Sequence, residues 1–107
     1  MIMINLFEND KNVTIEVTGH GDDTDQSCAR VSTVCDCIQL FFSTLLNSCK
    51  KEYGYTNIVV DKRKLHEKFL TGTLLQVLGY FLELEKLYPK SIKIKTNKGG
   101  NENGKNN

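Results

Sequence analysis

The sequence has no hydrophobic run long enough to cross a membrane. A transmembrane helix needs about 20 consecutive apolar residues, and no apolar stretch of this chain approaches that length. Residues 1–5 also lack the basic region, the long apolar run and the small-residue cleavage site of a signal peptide. We therefore expect a cytoplasmic protein that makes no contact with membrane.

A strong excess of charge is missing as well. The chain has 14 Lys and Arg against 13 Asp and Glu, a formal net charge of +1 at pH 7. Because no segment forms a dense basic stripe, we expect no direct binding of nucleic acid. The 107 residues suit one globular domain, which we assign to residues 1–97. Residues 98–107 contain only Lys, Gly, Asn and Glu, so we expect a disordered tail.

Paired Cys-x-x-Cys motifs are absent, and the histidines His20 and His66 lie far apart in sequence. A zinc site is therefore not expected, and no other cofactor is indicated. Cys35 and Cys37 would point about 200° apart on a helix and cannot pair there. We expect reduced thiols, with the four cysteines in one predicted helix: Cys28, Cys35, Cys37 and Cys49.

Hydrophobic periodicity predicts the secondary structure. Apolar residues alternate over residues 2–6 and 13–17, which predicts a β-hairpin. A spacing of 3.6 residues predicts one helix over residues 26–50, with Cys35 and Cys49 in the core and Cys37 on its flank.

The second half of the chain repeats the alternation of strand and helix. A strand is predicted over residues 57–61, a second helix over 66–87 ending before Pro89, and a final strand over 91–95. The order β-β-α-β-α-β indicates an α+β fold, an α/β sandwich of one mixed sheet and two long helices.

The segment from Gly19 to Ser32 is the main candidate for chemistry. It places His20 at the end of a predicted strand and Cys28 in the first turn of a predicted helix, at the third helical position if Asp25 is the N-cap. A cysteine with a free pKa near ~8.5 becomes a nucleophile when a helix N-terminus or an imidazolium stabilises its thiolate. Asp22 and Asp23 are candidates for orienting His20.

The same segment resembles a known family. Gly19-His20, followed by Asp25-x-x-Cys28-Ala29-x-Val31-Ser32, is similar to the Gly-His-Ala and Asp-x-Val-Cys-Ala-Ala-x-Ser motifs of Prp, the ribosomal-processing cysteine proteases. The resemblance extends over residues 1–96. It implies a homodimeric Cys-His endopeptidase that trims the N-terminal extension of a bacterial large-subunit ribosomal protein, with catalytic residues Cys28 and His20. The loop between them is about four residues shorter than is usual in the family.

Two further hypotheses stay open at this stage. A divergent member of the family with little or no catalytic activity could bind a peptide or the ribosome without cleaving it. A redox sensor could use Cys28 alone. A second apolar stripe on the second helix, made of Gly72, Leu75, Gly79 and Leu82, is a candidate surface for close approach of another helix, either within the chain or across the dimer.

Overall fold

The N-terminal residues form the predicted hairpin. The computed structural model describes residues 1–21, 26–65 and 68–98. Strand β1 covers Ile2–Glu8 and strand β2 covers Asn12–Gly19, and the two are antiparallel, with Ile4 opposite Val17. Between them, the Asn9 side-chain oxygen accepts hydrogen bonds from the backbone N–H groups of Lys11 and Asn12, both at 2.8 Å. An asparagine in this position favours a turn, since it replaces backbone hydrogen bonds that the chain reversal leaves unmade.

The first helix is shorter than the sequence predicted. Helix α1 covers Ser27–Phe41, and a 3₁₀ turn over Ser43–Leu45 follows it. The chain then forms a hairpin of strand β3, Leu46–Glu52, and strand β4, Tyr55–Asp61. The prediction of one helix over residues 26–50 was therefore wrong beyond Phe41, and Cys49 lies exposed in β3 rather than in the core.

The C-terminal part agrees with the prediction. Helix α2 covers Lys68–Leu87 and strand β5 covers Ile92–Lys98. The first two residues of the predicted helix, 66 and 67, lie outside the described residues. Of the predicted tail, Lys98 is the last residue of β5, and residues 99–107 lie outside the described part of the chain.

The strands form one five-stranded sheet in the order β3-β4-β2-β1-β5. Neighbouring strands are antiparallel except β1 and β5, which are parallel. The parallel pair needs a crossover between its strands, and helix α2 immediately precedes β5. The predicted α+β fold with one mixed sheet and two helices is confirmed, with β3 as an additional strand.

The core lies between the sheet and the two helices. Alternate residues of β1, β2 and β4 bury their side chains against α1 and α2, as the period of two requires. Cys35 is part of this core, as predicted. Among the described residues, no helix has the length and apolar character that crossing a membrane requires. The largest fully buried side chains are those of Phe42, Phe81, Ile2, Ile4, Ile15, Ile38, Ile58 and Ile92.

Candidate active site

Cys28 lies at the start of helix α1. The helix begins at Ser27, with Gln26 as its N-cap in the left-handed conformation at φ 62°. Cys28 is therefore the second helical residue, and the prediction of Asp25 as N-cap and Cys28 at the third position was wrong. The Gln26 carbonyl accepts the hydrogen bond of the Arg30 N–H at 3.1 Å, so the helical hydrogen bonds begin one residue later than predicted.

The Cys28 sulfur is half-buried and has a backbone donor beside it. The Gly21 N–H donates a hydrogen bond to Sγ at 2.9 Å. The first turn of α1 adds the positive end of the helix dipole and N–H groups that have no partner within a helix. These groups can stabilise negative charge on a substrate atom bound next to the sulfur.

His20 directly follows strand β2 and is exposed to solvent. The preceding Gly19 has a φ of 89° and packs against the Met1 carbonyl, where a side chain would collide. The imidazole ring contacts the aromatic ring of Tyr53, with the ring centroids 4.5 Å apart and the planes inclined by 38°. His20 is thus held at the junction of β2 and the turn between β3 and β4.

His20 and Cys28 line one cleft. Its volume is about 490 Å³, within the range of pockets that bind small molecules or peptide side chains. Aliphatic side chains of β1, β2 and α1 and two tyrosines give it an apolar surface, while Ser32, Lys51 and Glu52 contribute polar groups. The complete lining is Ile2, Val17, Gly19, His20, Cys28, Val31, Ser32, Lys51, Glu52, Tyr53, Gly54, Tyr55 and Thr56.

The remaining cysteines lie elsewhere in the fold. Burial raises the pKa of the Cys35 thiol to about 12, although the nearby Lys51 ammonium acts in the opposite direction. Cys37 is half-buried on α1, as its predicted flank position suggested, and Cys49 is exposed on β3. All four thiols are free, as predicted from the sequence.

Several candidates from the sequence fall outside the structural description. Asp22, Asp23, Asp25 and His66 lie outside the described residues, so no orienting carboxylate is assigned to His20. Within the described part of the chain, no group of three or more His, Cys, Asp or Glu side chains is arranged to hold a metal ion.

Tyr53 and Gly54 also line the cleft, although they were not among the residues predicted from the sequence. They form the two-residue turn that joins β3 and β4, where Glu52 pairs with Tyr55. The available signal was the glycine of Lys51-Glu52-Tyr53-Gly54-Tyr55, since a two-residue turn with a glycine is typical of a β-hairpin. The prediction of a helix through residue 50 left no strand before this turn.

Neither a protein-family model nor a curated protein matches the chain. Solved structures do match. A crystal structure of SMU.848 from Streptococcus mutans has 17% sequence identity and a TM-score of 0.67, covering 92% of this chain and 95% of that one.

Two structures of the essential ribosomal processing protease Prp from S. aureus are also similar. One has a covalently linked product peptide, with 23% identity and a TM-score of 0.65. The other has a substrate peptide, with 19% identity and a TM-score of 0.67. Each alignment covers 90% of this chain and 99% of Prp. The chain therefore has the fold of Prp, and the resemblance seen in the sequence is confirmed at the level of the fold.

Proposed function

We propose that this protein is a cysteine endopeptidase of the ribosomal-processing type. Its substrate is the N-terminal extension of a bacterial large-subunit ribosomal protein, and its site of action is the cytoplasm. The observation that carries the proposal is the shared cleft of Cys28 and His20. The cleft occurs in a fold shared with a protease that has been crystallised with substrate and product peptides.

The proposed reaction begins with attack by the Cys28 sulfur on the scissile carbonyl carbon. His20 takes the thiol proton, and backbone N–H groups at the start of α1 stabilise the oxyanion of the tetrahedral intermediate. The imidazolium then returns the proton to the leaving amine as the C–N bond breaks, which leaves the N-terminal fragment as a thioester on Cys28. Water, activated by His20, hydrolyses the thioester and restores the thiol.

The surface of the cleft suits an apolar side chain of the substrate. Ile2, Val17 and Val31 provide aliphatic walls, and Tyr55 adds an aromatic one. A bulky aromatic residue on the removed segment would bury apolar area there, and apolar burial contributes roughly 25 cal/mol per Å². We therefore assign the side chain that precedes the scissile bond to this part of the cleft.

Incubation with peptides that span the N-terminus of the host's own large-subunit ribosomal protein, the proposed substrate, tests the proposal. Mass spectrometry should detect cleavage by the wild-type protein. Cys28→Ala and His20→Ala should lower the rate by at least ~10²-fold, since general acid-base catalysis contributes 10²–10⁴-fold. Cys37→Ala, a change on the same helix, is the matched control and should retain activity. Tight binding of the peptide without cleavage would refute the enzymatic function and favour a peptide-binding module.

A further inference from the structure

The imidazole of His20 is enclosed on two sides by the turn between β3 and β4. One contact is the Tyr53 ring, 4.5 Å away between centroids. The other is the backbone of Gly54, because a Cβ atom at that position would lie 2.9 Å from Nε2 and 3.3 Å from Cε1 of His20. Gly54 also has a φ of 74°, in the left-handed region that favours glycine. The absence of a side chain at Gly54 thus leaves room for the imidazole.

The same turn is anchored to the strand that carries His20. The Gly19 N–H donates a hydrogen bond to the Gly54 carbonyl at 3.0 Å, and Thr18 pairs with Tyr55 in the sheet. The residues on either side of the turn are therefore fixed relative to the end of β2. The His20 ring therefore lies against both residues of a turn that is tied to its own strand.

His20 makes no hydrogen bond or ion pair with any described residue. In many Cys-His sites a third polar group orients the imidazole through a hydrogen bond. Within residues 1–21, 26–65 and 68–98, the contacts that restrict His20 come from an aromatic ring and a glycine backbone.

We propose that Tyr53 is a positioning residue for His20 and that Gly54 provides the space in which the imidazole is held. The inference rests on the proposed function, since it assigns to the Tyr53–Gly54 turn the orienting role that a cysteine peptidase requires. Tyr53 acts through its ring, so its hydroxyl group is dispensable. The aromatic contact restricts the imidazole to the orientation in which it exchanges a proton with Cys28.

The exposure of Tyr53 makes the proposal testable without loss of the fold. Tyr53 is 95% exposed, so removing its ring takes little apolar surface out of the core. The informative variants are Tyr53→Ala, which removes the ring, and Tyr53→Phe, which keeps it. Phe41→Ala is the matched control, because Phe41 is an exposed aromatic residue at the opposite end of α1 from Cys28.

Three measurements on the full chain decide the question. NMR spectra of the imidazole protons, with His20 assigned through His20→Ala, should shift in Tyr53→Ala because the ring current of Tyr53 is lost. Iodoacetamide should alkylate Cys28 about tenfold more slowly in that variant, as expected for a displaced partner. The kcat for peptide cleavage should fall by a similar factor while KM changes little. Tyr53→Phe and Phe41→Ala should behave as wild type in alkylation and cleavage.

Two results would overturn the proposal. Unchanged His20 signals and Cys28 alkylation in Tyr53→Ala would mean that the ring does not position the imidazole. A rise in KM alone, with these two properties unchanged, would make Tyr53 a substrate contact instead. Should the wild-type protein cleave no peptide, the proposed function fails, whereas the NMR and alkylation measurements still confirm or refute the positioning role.

Discussion

At the scale of single residues, position rather than exposure distinguishes Cys28 from the other thiols. Cys49 is exposed, Cys28 and Cys37 are half-buried, and Cys35 is buried. Solvent access alone would therefore make Cys49 the most reactive cysteine. Cys28 alone stands in the first turn of a helix, with a backbone N–H group donating to its sulfur and a histidine in the same cleft.

The order in which the four thiols are alkylated distinguishes a cysteine activated by its surroundings from one that is only exposed to solvent. At about pH 6.5, iodoacetamide should label Cys28 first, because the thiolate is the reactive species and His20, which lines the same cleft, can accept the thiol proton. Cys35 should resist labelling even at alkaline pH, since burial raises its pKa to about 12 and keeps the thiol protonated below that value. Proteolysis and mass spectrometry after short exposures give the order. Faster labelling of Cys49 than of Cys28 would contradict an activated nucleophile.

The sequence pointed to His20 and Cys28 but not to the groups that hold them. The local sequence is enough to predict that His20 follows a strand and that Cys28 lies at the start of a helix. The contact between His20 and Tyr53 joins residues more than 30 positions apart, and its formation depends on the pairing of β2 with β4. No local pattern specifies that pairing.

At the scale of elements, helix α1 ends at Phe41, earlier than its sequence predicts. The helical spacing of apolar residues continues through Phe41, Phe42, Leu45 and Cys49, which favoured one helix to residue 50. In the structure, Phe42 is fully buried as the residue that follows the helix, whereas Phe41 is exposed. Burial of Phe42 and the 3₁₀ turn redirect the chain into β3, so apolar periodicity alone could not locate the boundary.

The two adjacent phenylalanines provide a test of this boundary. Phe42→Ala should lower the free energy of unfolding by about 3–5 kcal/mol, the cost of deleting a buried aromatic side chain. Phe41→Ala should change it by about 0.5 kcal/mol or less, because Phe41 is 65% exposed. Urea titration followed by circular dichroism measures both, and Phe42→Leu serves as a milder variant. Equal losses at the two positions would contradict the helix end at Phe41.

The other elements followed from local signals. The hairpin of β1 and β2 has buried residues at alternate positions, most regularly in β2, and an asparagine turn. Helix α2 has a long apolar stripe that ends before Pro89. Strand β3 gave no such signal because six of its seven residues are exposed and several are polar. As an edge strand it pairs with β4 and buries little of its own surface, so no apolar alternation was needed.

At the scale of the whole molecule, one face of α2 has no partner within the described chain. Leu75 and Leu82 are 65% and 45% exposed. Apart from adjacent residues and the backbone of α2 itself, no described atom lies within 4 Å of a Cβ placed on Gly72 or Gly79. Close approach of another helix from the described part of the chain, one of the two predicted alternatives, is therefore wrong. An exposed apolar stripe with small residues fits a second copy of the chain.

We therefore expect a homodimer that buries this face of α2. A symmetric interface of standard size removes about 1,200–2,000 Å² of total surface from water. Light scattering at micromolar concentration should give twice the 12.1 kDa chain mass, and the double variant Leu75→Lys with Leu82→Lys should give the monomer mass. Leu40→Lys, a change of an exposed leucine on α1, is the control. A monomeric wild-type protein would contradict the dimer and leave the proposed chemistry unaffected.

The mass of the acyl-enzyme intermediate shows whether Cys28 is the nucleophile of the proposed peptidase. The wild-type protein is mixed with the ribosomal-protein peptide, quenched in acid within the first turnover and analysed intact. We predict an increase in mass equal to the N-terminal fragment, located on Cys28 and released by hydroxylamine as a thioester would be. The adduct should be absent in Cys28→Ala and form much more slowly in His20→Ala. Cleavage that persists in Cys28→Ala, with no adduct on the wild-type protein, would contradict catalysis by Cys28.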